Sequence, residues 1–196
     1  MNHYYTKNSN IKSKEADIYT IIKEKSFHFK TDNGVFSKSG LDFGSRLLIE
    51  SVLNISAFDN VLDLGCGYGP IGIIYKYFNN QSKVMMIDIN DRATDLSVKN
   101  SKINQQDVIV INSNGFEKID QKFDLIITNP PIRTGKKTIY KLFEDSCRHL
   151  NVEGQLIFVI NKQQGALSAI KFCEGIYKKV VVLNRKSGFL TIQCIK

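Results

Sequence analysis

Asn129, Pro130 and Pro131 stand where an apolar run, FDLIIT, gives out, and they are the residues of this 196-residue chain best suited to chemistry. Two consecutive prolines remove two backbone donors and restrict the loop, so the Asn129 side chain and the Pro130 carbonyl are expected to be held as two directed acceptors. Such a pair suits a poorly nucleophilic nitrogen, the exocyclic amine of a base or the amide of a glutamine, whose lone pair is delocalised. Accepting from both N–H groups favours the pyramidal form that frees the lone pair, and it stabilises the positive charge that develops as the nitrogen attacks an electron-poor methyl group. An aspartate at 129 would keep an acceptor of the same shape, so the sequence predicts that Asn129→Asp retains more activity than Asn129→Ala. Ile132 comes next, and a buried loop anchor is the plainer role for it. Arg133, Lys136 and Lys137 follow, placed to hold phosphates beside a flipped or single-stranded base, or to stand as solvated loop charge.

A second constellation precedes this one. In LDLGCGYGPIG the glycines 65, 67, 69 and 72 fall where a strand pattern passes into a helix pattern. Glycines there let the backbone turn sharply and lie against a ligand, and the helix N-terminus adds donors. Gly67, Gly69 and Gly72 also spell GxGxxG, a weak signal alone. Asp63 lies two residues before Gly65, and Asp88 ends the next strand pattern, where a carboxylate can accept both hydroxyls of a ribose such as S-adenosylmethionine and NAD carry. The plainer roles are a tight turn without a ligand, a loop contact for Asp63 and an N-cap for Asp88. Cys66 reads as a small residue that fits, since nothing cationic adjoins it in sequence.

The elements that must position these residues alternate. Strand patterns at 60–65, 83–89, 107–113, 123–128 and 155–161 are separated by helix patterns near 70–79, 91–103, 138–149 and 165–176. Strands apolar on both faces and alternating with helices indicate a doubly wound α/β domain with a mostly parallel sheet. Only residues 185–188 separate KVVVLN from FLTIQCI, a gap that allows nothing but a hairpin, so the sheet is expected to end in an antiparallel strand. Upstream, SFHFKTDNGVFSKSG reads as a small strand pair turning at Asp32–Gly34, followed by a helix over about 44–53.

Composition bounds the rest. The size and the 42% apolar content predict one domain over 1–196, with no linker or repeat. Four cysteines without CxxC spacing, at 66, 147, 173 and 194, argue against a zinc ribbon and for reduced thiols. The N-terminus has no signal-peptide pattern and no run spans a bilayer, which predicts a cytoplasmic protein with no membrane partner. The three histidines, at 3, 28 and 149, are scattered and form no metal or nucleophile set. Net charge is +8. Residues 1–132 hold 15 basic and 15 acidic side chains, whereas 133–196 hold 12 and 4. A basic excess confined to the last third favours a polyanionic partner, RNA above all, or is simply a solvated surface.

The pieces VFSKSGLDFGSRLL, VLDLGCGYGPIG, MIDIND, SNGF, NPPIRTGK and INKQQGA, in that order, resemble the class I S-adenosylmethionine-dependent methyltransferases, and within them the small-domain family that includes ribosomal RNA guanine-N2 methyltransferases. The resemblance implies a Rossmann-like sheet of seven strands with an antiparallel last strand, and S-adenosylmethionine as cofactor. It assigns Asp63, Gly65 and Gly67 to the methionine and loop contacts, Asp88 to the ribose, Asn114 and Gly115 to the adenine edge, and Asn129 with Pro130 to the target nitrogen, and it counts Cys66, Ile89 and Asn129 among the cofactor-binding residues as well. It makes 1–55 an extension covering substrate or cofactor. Two departures follow. An aromatic is common where this chain has Ile132, so Phe36, Phe43 or Phe116 must supply a stacking face, and Asn114 stands where a carboxylate is frequent. The leading expectation is methylation of an exocyclic base amine in RNA, guanine-N2 of small-subunit rRNA. Glutamine N5-methylation in a protein is a second reading, an NAD oxidoreductase a third, and a silent RNA-binding homologue a fourth.

Overall fold

The computed structural model describes residues 12–196, so His3 lies outside the described residues. Seven strands form one sheet in the order β5-β4-β3-β6-β7-β9-β8. They are β3 (Asn60–Leu64), β4 (Lys83–Asp88), β5 (Ile109–Asn112), β6 (Phe123–Thr128), β7 (Leu150–Asn161), β8 (Lys179–Lys186) and β9 (Phe189–Ile195). The first five run parallel; β9 is antiparallel to both β7 and β8, so the predicted hairpin inserts its second strand and leaves β8 at the edge.

The period of two along each strand sorts the core into two layers. Val61, Met86, Ile127 and Ile157 face helices α1 (Phe43–Val52), α2 (Pro70–Phe78) and α3 (Asp91–Ile103). Their neighbours Leu62, Ile87, Ile126 and Phe158 face α4 (Lys136–Arg148) and α5 (Ala166–Glu174). Gly72 permits the close contact of α2 with the sheet: a Cβ there would lie 2.5 Å from Met86 Sδ. Order reverses between β3 and β6, the crevice where open α/β sheets bind ligands. The glycine turn leaves β3 and Asn129 leaves β6, so both chemistry-bearing loops meet at that crevice.

Two expectations need correction. The upstream strand pair does not turn at Asp32–Gly34. It is β1 (Ala16–Ile22) with β2 (Lys25–Thr31), turning at Lys23 and Glu24, and Asp32 instead leads the chain out of β2. The Asn100 amide donates to Lys30 O at 2.9 Å and its oxygen accepts from Lys30 N–H at 2.7 Å, while Asn104 holds His28 likewise, so one asparagine of α3 and the asparagine that caps its C-terminus fasten the hairpin to the domain. Strand boundaries also moved: β5 is shorter than 107–113, and β7 begins at Leu150 rather than 155. Among the described residues no helix is long and apolar enough to cross a membrane, and no group of His, Cys, Asp and Glu could hold a metal.

Candidate active site

Asn129 is held by a helix N-terminus far away in sequence. Asp42 caps α1, its Oδ1 accepting from Ser45 N–H at 3.0 Å. The same region receives the Asn129 amide nitrogen, which donates to Ser45 Oγ at 3.0 Å and to Asp42 Oδ1 at 3.5 Å. With both amide hydrogens so directed, Oδ1 of Asn129 is the acceptor left for another molecule. Pro131 has φ −74° and ψ 76°, an inverse γ-turn, and Pro130 O therefore accepts from Ile132 N–H at 2.8 Å. One lone pair of that carbonyl remains. Ile132 opens a 3-10 turn and packs against the α4 and α5 side of the core.

Three glycines of the site are in the left-handed region: Gly65 at φ 75°, Gly67 at 59° and Gly115 at 55°. At each of them a Cβ would enter open space. The backbone there is thus exposed to a ligand and not to neighbouring side chains. Asp88 arranges the turn, accepting from Gly67 N–H at 2.9 Å and Asn90 N–H at 2.9 Å. It is not the N-cap of α3; Asn90 is, accepting from Arg92 N–H. Burial raises the Asp88 carboxyl above its usual range, against the lowering effect of the backbone donors. Two bonds leave a carboxylate lone pairs for further donors.

Asp63 is fully buried; one oxygen accepts from Gly72 N–H at 2.8 Å and Oδ1 has no partner. Burial pushes its carboxyl up to about 7, aided by the Asp88 charge and opposed by the Gly72 N–H. Cys66 is buried too, with its Sγ 3.5 Å from Ser97 Oγ, and burial with the two aspartates raises its thiol far above the usual range, so it is inert.

Two adjoining hollows share Gly65, Asp88 and Asn129. One, about 40 Å³, is covered by Val35, Phe36 and Ser37 of the segment after β2. The other, about 130 Å³, is lined by Ile89, Asn114 and Gly115, and it leads toward a larger one of about 590 Å³ that includes Phe116 and Lys137. The Asn114 amide donates to Glu117 Oε1 at 2.6 Å. Among the aromatics, Phe116 is stacked on His149 with centroids 4.2 Å apart, Phe43 is 38% exposed and Phe36 lies on the rim. The consecutive cations part: Lys137 lines the Asn114 side, whereas Lys136 leans to Gly165 at the start of α5. Arg133 sits in the 3-10 turn, and its side chain lies outside what the structure describes. Asp42 and Ser45 were missed from sequence. Their only signal was a helix start, which does not tell where the cap's second bond goes.

The chain can now be set beside known proteins. The family model described as "Methyltransferase small domain" matches residues 26–193. The uncharacterized protein YbxB of Bacillus subtilis is 42% identical over 99% of this chain and 98% of its own length. Ribosomal RNA small subunit methyltransferase C of Cronobacter sakazakii is 36% identical over 67% of this chain, which spans only 40% of that protein's length. Among solved structures, a 16S rRNA N2 methyltransferase of T. thermophilus, in complex with AdoMet and guanosine, aligns with 93% of this chain and 50% of its own at a TM-score of 0.83 and 21% identity. With a family model matching it from before the glycine turn to the last strand, the chain belongs to the methyltransferase small-domain family.

Proposed function

We propose that the protein transfers a methyl group from S-adenosylmethionine to an exocyclic base amine in RNA, with guanine-N2 of small-subunit rRNA as the target. The observation that carries this reading is the Asn129 amide, whose nitrogen is pinned by Ser45 and Asp42 so that its oxygen is presented beside the glycine turn.

The site fits that cofactor. Asp63 Oδ1 is a buried acceptor in want of a donor, as a methionine ammonium would provide; Gly65 and Gly67 leave backbone open to it; Asp88 has lone pairs for a ribose diol; Ile89, Asn114 and Gly115 border the space for an adenine. When bound, the cofactor supplies a sulfonium methyl whose C–S bond breaks with its electron pair on sulfur. Asn129 Oδ1 and the remaining lone pair of Pro130 O orient the target amine by accepting its two hydrogens, and they stabilise the charge it acquires on forming the new bond. The amine then loses one proton to solvent, and no strong base is needed. Within the 1–55 extension, Val35, Phe36 and Ser37 serve as the cover, while Phe36 and Phe43 offer the aromatic faces that Ile132 does not.

Calorimetry with S-adenosylhomocysteine tests the cofactor assignment, and Asp88→Ala is expected to weaken binding by about 1.5 to 3 kcal/mol, the range for charge-assisted hydrogen bonds. Tighter binding of NAD would end it. Changing Arg133, Lys136 and Lys137 together to Gln is expected to flatten the salt dependence of RNA binding by about 2, at roughly 0.7 for each phosphate contact on a single strand; an unchanged slope would assign these charges to bulk solvent. Mass spectrometry of rRNA nucleosides from a deletion strain beside its parent tests the target, with one methylated guanosine expected to disappear.

A further inference from the structure

A separate cavity of about 300 Å³ opens between α5 and the turn joining β8 to β9. Its floor is apolar, from Ile170, Val182 and Leu190, and Leu167 on its rim is 68% exposed. Lys162, Arg185 and Lys186 also line it, and no carboxylate does. The rim is tied at one point, where Lys162 N–H donates to Gly188 O at 2.7 Å.

This cavity's lining reaches toward the residues that hold the Asn129 loop. Phe189 forms part of its wall, and the Phe189 ring meets Phe43 with centroids 5.5 Å apart. Phe43 directly follows Asp42, whose carboxylate receives the Asn129 amide. In the sheet, Thr128 pairs with Phe158, and Asn161, three residues further along β7, pairs with Phe189. Phe189 therefore lies two strands over from Asn129 and two residues further out, roughly 12 Å away at ordinary strand spacings, on the same edge of the sheet.

We infer that this cavity holds a nucleotide flanking the target base, its base against Leu167 and the floor of Ile170, Val182 and Leu190 and its phosphates near Arg185 and Lys186. Single strands are held by this combination, a cationic groove for the backbone and apolar or aromatic surfaces for the bases. Flexible cations complement a polyanion, and the Phe43–Phe189 contact ties the cavity's lining to the helix start that holds Asn129. The inference rests on the RNA reading above, and it adds where the rest of the strand runs.

The test is fluorescence anisotropy of S-adenosylhomocysteine-loaded protein with labelled single-stranded RNA of three and six nucleotides, each with one guanine among uridines. Wild type is expected to gain affinity with length. Arg185→Gln with Lys186→Gln, and separately Leu167→Asp, are expected to lose about tenfold on the six-mer and little on the three-mer, the scale of one stacked base. The double variant is also expected to lower the salt slope by about 1.4, for two phosphate contacts. Unchanged S-adenosylhomocysteine affinity by calorimetry shows that the variants are folded. Variants that match wild type on the six-mer while wild type binds RNA would overturn this inference and leave the RNA reading standing. No RNA binding by wild type would end both, as would polyglutamate competing as well as RNA at equal charge.

Discussion

Under the proposed function, Asn129→Ala is expected to slow methyl transfer by about 10² to 10³ with little change in S-adenosylhomocysteine affinity, since the lost acceptor would act chiefly where charge develops on the target nitrogen. Single-turnover rates on RNA from the deletion strain measure this, and equal rates for wild type and Asn129→Ala would show that the Asn-Pro-Pro loop is only a turn. Asn129→Asp was expected from sequence to be the milder change. The structure reverses that expectation: the atom that becomes a carboxylate oxygen is the amide nitrogen, 3.5 Å from Asp42 Oδ1. Two carboxylates there repel each other, and the donor to Ser45 is gone. Asn129→Asp is therefore expected to be nearly as slow as alanine. Adding Asp42→Asn removes one of the two facing charges, while an amide oxygen in the Oδ1 position still accepts from Ser45 N–H and caps α1, so the double variant is expected to recover part of the activity that Asn129→Asp alone loses. Asp42 is a positioning residue in this account. Recovery in the double variant is a result that a merely structural role for Asp42 would not produce.

That reversal marks where sequence reasoning stopped. The strands β3, β4 and β6 were legible because they are apolar on both faces, and the glycine turn because strand, glycines and helix follow in order. The β1–β2 hairpin was not. Lys23 and Glu24 hold φ of 45° and 65°, a turn normally signalled by Asn-Gly or Asp-Gly, and neither residue carries that signal. The next turn signal in the sequence is the glycine of Asp32–Gly34, beyond the end of β2. Asn100 and Asn104 were equally silent, since polar side chains on a helix read as a solvated face until a strand is placed beside them. Lys136 and Lys137 looked like one patch, but neighbours on a helix point about 100° apart, and Lys137 lines the hollow beside Asn114 while Lys136 reaches Gly165. The Asp42–Asn129 contact joins residues 87 apart, and no local pattern encodes it.

Asp63 yields the second large effect, and its sign depends on pH. In the folded protein its carboxyl is pushed up to about 7 from an ordinary 3.8, chiefly by burial. The folded state thus holds the proton more tightly than the unfolded chain, so the carboxyl's favourable contribution is complete below about pH 3.8 and is lost as pH rises through 7. Above that, a buried charge remains with Oδ1 unpartnered. Asp63→Asn keeps an oxygen for the Gly72 N–H and removes the charge. It is therefore expected to stabilise the cofactor-free protein by roughly 2 to 4 kcal/mol at pH 8, and by little near pH 4.5, in urea unfolding. Binding is expected to move the other way. A methionine ammonium beside ionised Asp63 compensates the buried charge, so S-adenosylhomocysteine should bind wild type more tightly at pH 7.5 than at pH 6, with proton release measured by calorimetry in buffers of different ionisation enthalpy. Asp63→Asn should bind more weakly and without that release. A stability difference between wild type and Asp63→Asn that stays flat from pH 4.5 to 8 would mean that the carboxylate is already compensated within the fold, and Asp63 would then have no acceptor to offer a cofactor.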